Sequence, residues 1–142
     1  MIHRIHSEAE TAEFAREFSE SLKPGSVVAL SGELGAGKSV FARALMRALG
    51  VTDAVMPSPT FAIVQEYAGR DCRIAHMDWY RLGCAEDLEA IGVHEYMQAP
   101  WICIIEWPER ADVLTPDTAQ CLRISMVPGH AQARDIEIVT AR

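Results

Sequence analysis

The chain has 142 residues, 49% of them hydrophobic, which is enough to build one domain, residues 1–142, around a substantial core. Its net charge of −7, from 20 acidic against 13 basic residues, repels a phosphate backbone and disfavours unaided nucleic-acid binding. No apolar run reaches the roughly 18 residues of a membrane span, and Met1 to Glu8 lacks the apolar stretch of a secretory leader, so no membrane association and a cytoplasmic location are expected.

Ser7-Glu8-Ala9-Glu10 has the pattern of a capping box, and Ala12, Ala15, Phe18 and Leu22 follow at helical spacing. A first helix is predicted from about residue 8 to about residue 22, stopping before Pro24-Gly25. Val27-Val28-Ala29-Leu30 then reads as a buried strand. It leads into Gly32-Glu33-Leu34-Gly35-Ala36-Gly37-Lys38-Ser39, a complete GxxxxGK[ST] loop. A chance match in a chain of this length is roughly a one-in-200 event. Val40 to Leu49 continues as a helix, ended by Gly50, so strand, loop and helix occur in the order the motif requires. Glycines let the backbone curl around a triphosphate with its N–H groups inward, and the helix N-terminus adds partial positive charge. Lys38 can then reach the β- and γ-phosphates, and the Ser39 hydroxyl can bind Mg²⁺. The expectation is a nucleoside-triphosphate site. Arg43 and Arg47, four apart on the loop helix, read as a solvated face.

Pro57-Ser58-Pro59-Thr60 cannot be regular structure, because proline removes donors and fixes φ. Thr60 either senses a γ-phosphate through the metal, as loop threonines of phosphate-loop proteins do, or satisfies turn backbone groups alongside Ser58. A hairpin follows, with strands at 61–67 and 73–78 turning at Gly69-Arg70-Asp71. Residues 84–91 suggest a short helix ended by Gly92. Trp101 to Glu106 is apolar without alternation until its last residue, the pattern of a central strand covered on both faces. Residues 120–126 and 134–139 alternate apolar and polar around Pro128-Gly129, which suggests an antiparallel hairpin at one edge. The fold class is α/β, a phosphate-loop (P-loop NTPase-like) domain with a mixed β-sheet flanked by helices.

Such a loop needs a carboxylate at the end of a neighbouring strand to hold Mg²⁺ directly or through water. Glu106 and Asp78 both offer one, and pattern alone leaves open which binds metal and which orients the attacking water. A carboxylate buried at a strand end needs a partner; for Glu106 the alternative to a metal is an arginine such as Arg110. His76 and His94 have no ligand-spaced partner and read as structural. Trp101 reads as core, whereas Trp79 and Trp107 each follow a candidate carboxylate and could wall the site. Cys72, Cys84, Cys103 and Cys121 form neither a CxxC pair nor a zinc-finger spacing, and read as free structural thiols.

The phosphate loop, Ser58-Pro59-Thr60-Phe61, Asp78-Trp79-Tyr80-Arg81-Leu82 and Ile105-Glu106-Trp107-Pro108-Glu109-Arg110 together resemble the TsaE (YjeE-like) family. These are small bacterial ATPases needed to form threonylcarbamoyl-adenosine in tRNA. The resemblance spans nearly the whole chain. It implies a compact phosphate-loop ATPase that supports a transferase and its inactive scaffold paralogue, of TsaD and TsaB type, and the acidic charge balance argues that tRNA is contacted only indirectly, through those partners. It implies ATP held by Gly35, Ala36, Gly37, Lys38, Ser39 and Val40, and Mg²⁺ held by Ser39 and Glu106 with Asp78 close by. Thr60 would occupy a switch-like loop, and Thr11 and Arg134 would lie near the adenine. The family usually has Lys-Thr-Thr where this chain has Lys38-Ser39-Val40, which keeps the metal hydroxyl and loses the one after it.

Two other functions share the loop. A conventional GTPase needs an Asn/Thr-Lys-x-Asp signature, and with only Lys23 and Lys38 in the chain none exists. A small-molecule kinase needs a lid and an acceptor pocket that exclude water, and no arginine-rich insertion for a lid is present. The kinase is the alternative to a partner-coupled ATPase.

Overall fold

The computed structural model describes residues 2–57, 59 and 63–139. Their strands are β1 (Ile2–Ile5), β2 (Val27–Ser31), β3 (Val64–Ala68), β4 (Arg73–Asp78), β5 (Trp101–Glu106), β6 (Gln120–Val127) and β7 (His130–Val139). The helices are α1 (Glu8–Ser19), α2 (Lys38–Ala48) and α3 (Ala85–Ala90), with 3₁₀ segments at Val93–Met97 and Pro108–Leu114. All seven strands form one mixed sheet in the order β1-β7-β6-β2-β5-β4-β3. The middle four run parallel and the outer pairings are antiparallel.

Alternation along β2, β4 and β5 sorts the core onto two faces. Val28, Leu30, Ile74, Ile102 and Ile104 pack under α1 and α2, while Val27, Ala75, Met77, Cys103 and Ile105 pack against Leu88, Val93 and Ala111 opposite. This is why Trp101 to Glu106 lacks alternation: both faces of β5 are covered. The α1–α2 contact is aromatic, with the Phe41 ring 6.0 Å from Phe14 and 6.3 Å from Phe18.

Ser7 caps α1 as its pattern suggested, accepting from the Glu10 N–H at 3.2 Å, while the Glu10 carboxylate accepts from the His6 N–H at 3.0 Å. The helix stops at Ser19, short of residue 22, and its buried stripe is Phe14, Ala15 and Phe18, with Ala12 exposed. Strand β1 was not anticipated: four residues are too few to show a period, and pairing with β7 defines them. It also moves the β6–β7 hairpin inward from the sheet edge, where the alternation had placed it. Of the predicted strand at 61–67, Phe61 and Ala62 lie outside the described residues, and β3 runs Val64–Ala68. Gly92 ends the short helix in the left-handed region, at φ 75° and ψ 41°. The four cysteines are free; Cys103 is buried and Cys121 half-buried.

The turn out of β2 explains the first glycine of the phosphate loop. Gly32 has φ 148°, and a Cβ there would overlap the Ile124 carbonyl oxygen on β6. At Gly35, φ is 83° but a Cβ would meet nothing within 4 Å. Gly32→Ala should therefore cost about 3 kcal/mol of stability, combining backbone strain with a clash against backbone. Gly35→Ala should cost about 1 kcal/mol, from the left-handed conformation alone. Urea unfolding of both variants checks the order.

Candidate functional site

Three parallel strands end side by side at the phosphate loop. The register pairs Leu30 with Glu106 and Glu106 with Asp78, so both carboxylates sit on neighbouring strand ends, on the sheet face that α2 covers. Both are buried. The loop crosses above them and delivers Lys38 and Ser39 at the start of α2. A cleft of about 630 Å³ opens there, lined by Leu34, Gly35, Gly37, Lys38, Ser39, Val40, Asp78, Tyr80, Arg81, Glu106 and Trp107.

Within the cleft, Ser39 Oγ donates to Glu106 Oε1 at 2.9 Å, and Glu106 Oε2 lies 2.6 Å from His76 Nε2. Asp78 Oδ1 accepts from the Tyr80 N–H at 2.9 Å. The Lys38 ammonium donates to the Gly32 carbonyl and, at 3.0 Å, to that of Glu33, closing the loop on itself. It also lies 3.9 Å from the centre of the Trp107 ring. Burial pushes the Lys38 ammonium below its ordinary range, opposed by the carboxylates of Glu106, Glu109 and Asp78.

Gly37 is the N-cap of α2, at φ 102° and ψ 21°, and has no side chain to satisfy the first-turn N–H groups. An uncapped helix N-terminus thus faces the cleft beside Lys38, an arrangement that suits a multiply charged anion. The oxygens of Ser39, Glu106 and Asp78 are hard donors of the kind Mg²⁺ takes. Among the described residues no three His, Cys, Asp or Glu side chains assemble into a metal cage.

A smaller cleft of about 160 Å³ adjoins the first and shares Gly37 and Val40 with it. Thr11, Ala36, Phe41, Ile124, Arg134 and Ile136 also line it. Thr11 Oγ1 donates to the Ser7 carbonyl at 3.1 Å. Arg134 Nε donates to the Ala36 carbonyl at 2.9 Å and Nη1 to those of Ala131 and Ala133 at 2.8 Å, which ties β7 to the phosphate loop. This cleft, with Val40, Phe41, Ile124 and Ile136 on its walls beside Thr11 and Arg134, can accept an aromatic base.

The structure thus gathers Gly35, Gly37, Lys38, Ser39, Val40, Asp78 and Glu106 in one cleft, and Thr11, Ala36 and Arg134 in the next. Thr60 lies outside the described residues. Arg43 and Arg47 line neither cleft; Arg47 donates to the Val51 carbonyl at 3.1 Å and steadies the chain leaving α2. Trp107 walls the site as expected, held in the left-handed region at φ 60° and tilted at 46° against the Tyr80 ring, with ring centres 4.9 Å apart. Trp79 does not. It alternates to the opposite face of the sheet, where it is fully buried in the second core. His76, read from the sequence as structural, lies against the Glu106 carboxylate. It lies two positions before Asp78, so both project from the same face of β4, and strand alternation was the signal that could have found it. The partner of Glu106 is therefore a histidine and a serine, with Arg110 stacked over the Tyr80 ring at 5.2 Å instead.

A family model, threonylcarbamoyl adenosine biosynthesis protein TsaE, matches residues 5–136. The tRNA threonylcarbamoyladenosine biosynthesis protein TsaE of Haemophilus influenzae is 33% identical over 140 residues, spanning 95% of this chain and 86% of that protein. The protein of the same description from Treponema pallidum is 39% identical over 111 residues, 78% of this chain and 81% of its own. The crystal structure of YdiB from Bacillus subtilis superposes with a TM-score of 0.82 at 27% identity, covering all of this chain and 86% of that one.

Proposed function

The chain belongs to the TsaE family of threonylcarbamoyl adenosine biosynthesis proteins and has a P-loop NTPase-like fold, and from that premise we propose that it is a Mg²⁺-dependent ATPase coupled to a tRNA-modifying transferase. The observation that carries the reading is the Ser39–Glu106 hydrogen bond of 2.9 Å beneath an uncapped helix N-terminus. It pairs a hydroxyl and a carboxylate of the kind that share a metal, next to a lysine and N–H groups of the kind that hold phosphates.

In this reading the triphosphate lies along Gly35 to Val40, and the base enters the slot between Thr11, Phe41 and Arg134. Lys38 leaves the Gly32 and Glu33 carbonyls for the β- and γ-phosphates and stabilises the charge that develops between them. Ser39 and Glu106 would hold Mg²⁺, which would supply positive charge against the phosphates. Asp78, fixed by the Tyr80 N–H, orients the attacking water. Supporting this division is that Glu106, not Asp78, shares a hydrogen bond with Ser39. The reading keeps Thr60 as a further residue acting on the γ-phosphate side of the site. The chain's net charge of −7 favours contact with tRNA through the partners, a transferase and a scaffold of TsaD and TsaB type. No helix among the described residues is long and apolar enough to cross a membrane.

ATP turnover by the chain alone, then with a purified transferase–scaffold pair and tRNA, tests the proposal. Strong stimulation, with repeated tRNA modification only when ATP is hydrolysed, is expected; turnover indifferent to those partners would favour a small-molecule kinase. Lys38→Ala should abolish hydrolysis, and near-normal turnover in that variant would rule the scheme out. Val40 walls both clefts without a hydroxyl to offer a phosphate. Val40→Thr should tighten ATP binding by roughly 3- to 10-fold, the worth of one added hydrogen bond. Unchanged affinity in an equilibrium titration would show that the missing hydroxyl is immaterial.

A further inference from the structure

His76 occupies the interior of β4 with no exposed surface, on the sheet face that holds Ile74 and Ile104. An aliphatic side chain would fill that space without bringing polar atoms into the core, so packing does not explain an imidazole there. Its one polar contact is the site itself: Nε2 lies 2.6 Å from Glu106 Oε2, while Nδ1 has no hydrogen-bond partner among the described residues. The register accounts for the contact. His76 pairs with Ile104 and Asp78 with Glu106, so His76 lies one pleat below Asp78 and diagonally across from Glu106. Each oxygen of Glu106 is thereby assigned, Oε1 to Ser39 at 2.9 Å and Oε2 to His76.

We propose that His76 is the positioning residue of the Glu106 carboxylate, an N–H donor that fixes the carboxylate plane so that Oε1 faces Ser39 and the metal they share. This rests on the Mg²⁺–nucleotide reading of the cleft. Donation to Oε2 requires the ring proton on Nε2. The terminal torsion of a glutamate is broad and roughly two-fold, so without this bond the carboxylate would have to be ordered when metal arrives. Hydrogen bonds to a metal's ligands are typically worth 10- to 100-fold in metal affinity.

Two amides separate positioning from packing. In His76→Gln the side-chain amide falls where Nε2 is and can still donate to Glu106; in His76→Asn it falls where Nδ1 is and cannot. The measurement is the Mg²⁺ concentration that half-saturates binding of a fluorescent ATP analogue, alongside its metal-free affinity and thermal unfolding of each variant. His76→Asn should raise the Mg²⁺ midpoint by roughly 10- to 100-fold with little change in metal-free nucleotide affinity, and His76→Gln should stay within about 3-fold of the unsubstituted chain. His76→Leu, which fills the core without a donor, should match His76→Asn and serves in its place if the asparagine variant does not fold. Equal midpoints in the glutamine and donor-less variants would overturn the inference. So would unfolding of both donor-less variants while His76→Gln folds, since His76 would then serve the core. If Mg²⁺ has no effect on nucleotide binding by the unsubstituted chain, the metal reading of the cleft fails, and the inference fails with it.

Discussion

The buried carboxylate of Glu106 constrains everything around it. A carboxylate with 2% of its surface exposed, at the end of a strand otherwise made of Trp101, Ile102, Cys103, Ile104 and Ile105, is costly by several kcal/mol unless compensated. The compensation comes from three groups: a hydroxyl on α2, an imidazole on β4, and the nearby Lys38 ammonium at the head of α2. Each works only if β4, β5 and β2 end level with one another and α2 begins directly above them. The parallel register of the central strands is thus a requirement of the site as much as of the core.

The phosphate loop holds a shape that a ligand can take over. Lys38 satisfies itself on the Gly32 and Glu33 carbonyls and lies over the Trp107 ring, so a nucleotide exchanges one set of contacts for another without leaving a buried ammonium bare. Gly32 makes the turn possible by letting the loop pass against the Ile124 carbonyl, and Arg134 pins the loop from the other side through Ala36. The loop is therefore gripped by β6 and β7, strands far along the chain. The left-handed backbone of Trp107 is a local strain, on the order of 1–3 kcal/mol, that sets its ring against Lys38 and Tyr80.

Much of this was legible in the residues because the chemistry is local. The strand–loop–helix unit, the strand ending at Glu106 and the hairpin ending at Asp78 each follow from spacing and periodicity within a dozen residues. What escaped was decided by pairing between distant segments. Ile2 to Ile5 is a strand only because β7 lies beside it, and that addition takes the β6–β7 hairpin away from the edge. Trp79 and Trp107 look equivalent, each one residue after a carboxylate, yet β4 sends Trp79 into the second core while the left-handed turn after β5 sends Trp107 over the cleft. His76 reads as a break in an apolar run until the register with β5 sets it against Glu106.

The most direct measurement is a crystal structure of the chain with Mg²⁺ and a non-hydrolysable ATP analogue. The account requires Lys38 Nζ to leave the Gly32 and Glu33 carbonyls for the β- and γ-phosphates. It also requires Ser39 Oγ to turn from Glu106 to a metal that Glu106 shares, with the base between Thr11, Phe41 and Arg134. A nucleotide bound elsewhere, or one bound in the cleft while Lys38 and Ser39 keep their present partners, would contradict it.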